Sequence, residues 1–104
     1  MKIHIKDRDV ELKSTIRSLI YFENIMGKSF DLQNVKTLDL TVLELCTLLA
    51  CDKGLHLDFQ ELVDAIDEDN SILTDFTDWF IEEMKKQAML SKDLEGDDED
   101  SKKA

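Results

Sequence analysis

Between Leu40 and Asp52 the chain leaves a helix almost no side on which to face water. Leu40, Val42, Leu43, Leu45, Cys46, Leu48, Leu49, Ala50 and Cys51 cover nearly its whole circumference, and Thr41, Glu44 and Thr47 leave only a thin polar stripe. A helix that is apolar all round is buried. Two arrangements satisfy this. Either the segment is the central helix of the domain, with neighbours on most sides, or part of it faces another chain, self-association included.

The elements before it announce themselves by period. Ile3 and Ile5 alternate with Lys2, His4 and Lys6, and Val10 and Leu12 alternate with Asp9, Glu11 and Lys13, which predicts a hairpin over 2–13 with Asp7-Arg8-Asp9 as its turn. A lone hairpin is marginal in water, so its apolar face must lie on a helix. That helix follows at once. Ser14 or Thr15 can cap it, Ile16, Leu19, Ile20, Ile25 and Met26 recur at helical spacing, and Gly27 suits a left-handed C-terminal cap. Glu23 falls inside this apolar arc and needs a partner there, with Lys13 and Lys28 as structural mates; the other reading is a polar spot in a binding groove.

After Gly54, Asp58 and Glu61 have the spacing of a capping box, and Phe59, Leu62, Val63 and Ile66 line one face of a short helix. Ser71 can cap a last helix whose stripe is Ile72, Leu73, Phe76, Trp79, Phe80 and Met84. From Lys92 periodicity is lost and charge concentrates, which predicts a disordered acidic tail over 92–104. The expected fold is therefore α+β: an N-terminal β-hairpin packed on a small bundle of about four helices, a single domain over 1–91, then the tail.

Charge narrows the partners. The chain of 104 residues carries a net charge of −11, yet residues 1–57 hold eight acidic and eight basic side chains, so the excess sits wholly in 58–104. An acidic half repels phosphate backbones, so no nucleic-acid binding is expected. It serves either to keep the protein dispersed, or as a nucleic-acid mimic or docking surface for a basic partner. No apolar run approaches the length of a membrane span, and the N-terminus lacks the apolar stretch of a signal peptide, so a cytoplasmic protein is expected.

Chemistry finds little footing. Cys46 and Cys51 lie about 140° apart around a helix and are read as free thiols filling space. Zinc would also need His4 and His56, and no spacing among the four suits it. An EF-hand begun at Asp67 would place Ile72 where Gly is required and Asp78 where Glu is required. Gly27-Lys28-Ser29 lacks the upstream glycine and preceding strand of a phosphate loop. No enzyme, cofactor or metal is expected.

Residues 12–30 carry a resemblance. The N-terminal hairpin, Arg17 early in the first helix, the pair Phe22-Glu23 and the closing Gly27-Lys28-Ser29-Phe30 resemble the tail assembly chaperones of long-tailed phages and prophages, and Leu57 to Asp67 resembles that family's third helix. The likeness covers roughly residues 1–85. It implies a non-catalytic protein of the host cytoplasm, absent from the mature virion. Such a protein binds the hydrophobic tape measure protein and keeps it soluble while tail tube protein polymerises around it. Client contact is expected at Leu45, Leu48 and Leu49 of the second helix and Trp79 and Phe80 of the last. The alternative is an acidic regulatory or adaptor protein, such as a DNA-mimic-like inhibitor, binding a basic partner.

Overall fold

Strict alternation at the N-terminus produces two short strands, β1 (Lys2–Ile5) and β2 (Arg8–Glu11), paired antiparallel with Ile3 opposite Val10 and Ile5 opposite Arg8. The structure, a computed structural model, describes the backbone over residues 1–102 and side chains over 1–86. The turn lies one residue earlier than expected. Lys6 and Asp7 make it, with φ of 53° and 60°, and Arg8 and Asp9 belong to β2. Two positive φ values are what a two-residue hairpin needs to match the strand twist, and this turn reaches them without glycine. Ile3, Ile5, Val10 and Leu12 all point into the core.

Helix α1 (Ile16–Met26) has the ends foreseen for it. The Thr15 hydroxyl accepts the N–H of Ser18, and Gly27, at φ 71°, donates its N–H to the carbonyl of Glu23 at 2.8 Å. Its inward face is another matter. Ser18 and Phe22 are buried, Leu19 and Met26 half-buried, whereas Ile16, Ile20 and Ile25 are exposed. The helix is turned so that its largest apolar side chain, Phe22, enters the core. There it meets Phe30 edge-on with ring centres 5.4 Å apart, and Phe30 meets Phe80 the same way at 5.3 Å. That rotation also corrects the reading of Glu23. It stands in solvent, and Lys28 turns instead to Asp39, 3.3 Å away.

A single 3₁₀ turn (Leu32–Asn34) leads into α2 (Thr37–Cys51), which starts three residues ahead of Leu40. The Asp39 carboxylate accepts the backbone N–H of Lys36 at the first turn, and that bond holds it below the usual carboxylate range despite burial. From Thr41 to Leu48 every residue is buried, so α2 is the central helix, packed against α1, α3, α4 and β2. The thin polar stripe is inside. Thr41 and Thr47 manage this by donating their hydroxyls to the carbonyls of Thr37 and Leu43, both at 2.8 Å.

The link after α2 is tied to the hairpin. Leu55 and Leu57 are buried, and Lys6 reaches across to the carbonyl of His56 and to Glu61. Helix α3 (Phe59–Glu68) opens with the capping box read from its sequence: Asp58 accepts the N–H of Glu61 at 2.8 Å, and Glu61 accepts that of Asp58 at 3.0 Å. Helix α4 (Ser71–Lys102) is capped by Asp69 rather than by Ser71, since the Asp69 carboxylate takes both the N–H and the hydroxyl of Ser71. Phe76 and Phe80 are its buried anchors. The expected tail over 92–104, and with it the domain boundary at 91, lies outside the residues whose side chains are described. The fold is an α+β domain, a hairpin on four helices.

Candidate functional site

The five residues expected to touch a client are not gathered on one open face. Leu45, Leu48 and Phe80 are 8%, 0% and 4% exposed, enclosed by their own chain. Leu49 and Trp79 are half-buried: Leu49 borders a shallow cavity with Lys6, Leu55 and Leu57, and Trp79 leans on Phe76 with ring centres 6.0 Å apart. The core is large enough to take in the apolar excess of α2, because α1 gives up most of its own apolar residues to solvent.

Those residues make the first candidate surface. Ile16 is 72% exposed, Ile25 58%, Ile20 50% and Tyr21 38%. At 100° per residue they span about half the circumference of α1, on the side away from Phe22, with Arg17 and Asn24 among them. A scattered exposed leucine means nothing, but four large apolar side chains on one short helix mark a surface that another molecule can cover. The sequence pattern showed the apolar residues and not their direction, since two overlapping arcs on α1 compete for the core.

A groove forms the second. Leu38 at the start of α2, Phe59, Val63 and Ile66 on α3, and Leu73 on α4 enclose about 360 Å³, with Thr37, Thr41 and Asp67 at its edges. Leu38 is 53% exposed and forms its open lip. Nothing in the sequence pattern pointed to it, because each of these residues reads as part of an ordinary core stripe.

Chemically reactive arrangements are sparse. Cys46 and Cys51 are free thiols. Burial pushes the Cys46 thiol up to about 11, which makes it unreactive. The Cys51 sulfur sits between the backbone N–H and carbonyl of Lys13. Among the described residues no three His, Cys, Asp or Glu side chains gather as a metal site would need, and no helix is long and apolar enough to cross a membrane. One group stands out by its discomfort. Glu44 is fully buried on α2, neither carboxylate oxygen has a hydrogen-bond partner, and burial raises its pKa to about 8. Compared with protein-family profiles, curated proteins and solved structures, the chain matches none.

Proposed function

We propose that this chain is a tail assembly chaperone of the long-tailed phage type, acting without catalysis. It holds the hydrophobic, helical tape measure protein in soluble form in the host cytoplasm while tail tube protein assembles around it, and leaves before the particle is complete. The observation that carries the reading is the face of α1, where Ile16, Ile20, Tyr21 and Ile25 remain in solvent although the domain has a full core without them. A helical client can lay its own apolar stripe on such a face. The charge of −11 then keeps the pair dispersed. The resemblance agrees with this, and its residues divide the labour: Phe22, Gly27 and Phe30 build and end α1, while Arg17 stands among the exposed isoleucines.

Co-expression with the tape measure protein of the same phage or prophage tests it. The client is expected in the soluble fraction with the wild-type chain and in the pellet with the Ile16→Lys, Ile20→Lys double variant. Equal solubility of the client with and without the chain would remove the proposal.

A further inference from the structure

From Asp58 to Met84 the chain has ten acidic side chains and not one Lys, Arg or His. This run forms all of α3 and the first half of α4, the two helices that supply four of the five apolar walls of the groove. Leu38, Phe59, Val63, Ile66 and Leu73 make an oily seat of about 360 Å³. On α3 the groove-lining residues Phe59, Val63, Ile66 and Asp67 occupy one arc, and Asp64 and Glu68 continue round from Asp67. Asp67 stands at the groove's edge and Asp64 and Glu68 follow on the solvent face of α3 beyond it, all three exposed, so the bank of α3 on this side is acidic. The basic side chains nearest along the chain are Lys36, just before α2, and Lys53 and His56, before α3, while Lys6 pairs with Glu61 on α3.

We propose that this groove receives a cationic amphipathic helix of a partner protein, with apolar side chains seated between α2, α3 and α4 and Lys or Arg side chains against the acidic bank. The two requirements select each other. An apolar helix alone would draw no attraction from the carboxylates, and an acidic helix would be repelled. A second copy of this chain would bring the same acidic excess to the contact. Electrostatic complementarity speeds encounter and sets orientation, while the buried apolar anchors set the lifetime of the complex. No α1 residue lines this groove, so the inference stands whether or not the chaperone reading holds.

The probe is a synthetic amphipathic helix of about five turns, with Leu on one face and Lys on the other, beside an isomer with Glu for every Lys; titration is followed by calorimetry. The Lys peptide is expected to bind and the Glu peptide not. Leu38→Ser should weaken binding about tenfold, as loss of one buried anchor does. The Asp64→Lys, Asp67→Lys pair should weaken it by a similar factor. All three positions are exposed, so unchanged helical circular dichroism checks the fold. At about 1 M salt, where screening acts beyond about 3 Å, part of the affinity should survive. Binding that ignores Leu38→Ser and vanishes in salt would mean diffuse attraction to the acidic surface and would overturn the proposal. So would a wild-type chain that self-associates through Leu38, because the occupant would then be a second copy.

Discussion

Arg8 and Asp52 meet through two parallel hydrogen bonds, Nε to Oδ2 and Nη2 to Oδ1, each 2.9 Å long. The pair fastens the second hairpin strand to the chain just beyond α2, across 44 residues of sequence. Asp52 also accepts the N–H of Gly54 at 3.0 Å, so one carboxylate orders both the strand and the turn. A Cβ on Gly54 would stand 3.0 Å from Nη2 of Arg8, so a side chain there would push the guanidinium aside by a few tenths of an ångström.

Asp52→Asn is therefore expected to loosen the hairpin and lower the unfolding midpoint modestly. Arg8 holds the Asp52 carboxyl below its ordinary value by hydrogen bonding. Its contribution is thus present above about pH 4, the unfolded value, and is lost as pH falls through the lower folded value. Urea unfolding of both proteins at about pH 7 and about pH 2 checks this. The gap between them should close in acid; a gap that stays constant would refute the ion-pair account.

Glu44 gives the opposite dependence on pH. Its folded pKa of about 8 lies above the ordinary 4.5, so the folded state keeps a proton that the unfolded chain releases. Its cost to stability should grow as pH rises from about 4.5 and level off beyond about 8. Replacing it by Met is expected to add about 3 kcal/mol more near pH 7 than near pH 4. Denaturant titrations across that range decide the matter, and a gain independent of pH would show that Glu44 ionises freely in the fold.

Gly27 sits at φ 71° with open space where a side chain would go. The cost of Gly27→Ala is then backbone strain without any clash, about 1 kcal/mol. Thr15→Ala, at the other end of α1, removes the acceptor for the Ser18 N–H and should cost about the same. The two sites share no partner, so their effects are expected to add in a double variant. Marked non-additivity in thermal melts would mean that α1 frays as a unit.

Ile16 and Ile20 touch solvent more than core, so lysine at both should leave the unfolding midpoint within about 0.5 kcal/mol of wild type. Phe22→Ala on the same helix should cost about 3–5 kcal/mol, since it empties a fully buried ring site between Phe30 and the core. Denaturant unfolding of the two variants compares the faces directly. Equal destabilisation would mean that the isoleucines are packed in solution.

Most of the elements, and several of their ends, are legible in the sequence. Period-two alternation marked the hairpin, Thr15 and Gly27 bracketed α1, and Asp58 with Glu61 opened α3, because each depends on neighbours within a few residues. The hairpin turn at Lys6-Asp7 was not, since two positive φ values in a pair without glycine are imposed by the strands on either side. The cap by Asp69 was misplaced by two residues for a similar reason: Asp69, Asn70 and Ser71 are all competent, and chain geometry chose among them.

Sequence alone determined that α2 is buried, because no rotation of a helix so uniformly apolar can offer water a polar face. It could not determine which side of α1 is buried. Phe22 on one arc and Ile16, Ile20 and Ile25 on another are equally apolar, and only the positions of Phe30 and Phe80, brought from elsewhere in the chain, favour the first. The tertiary structure thereby moved the exposed apolar surface from α2 to α1 and to the groove beside Leu38. Burial depends on what the rest of the chain places opposite, and that is settled by packing between distant segments.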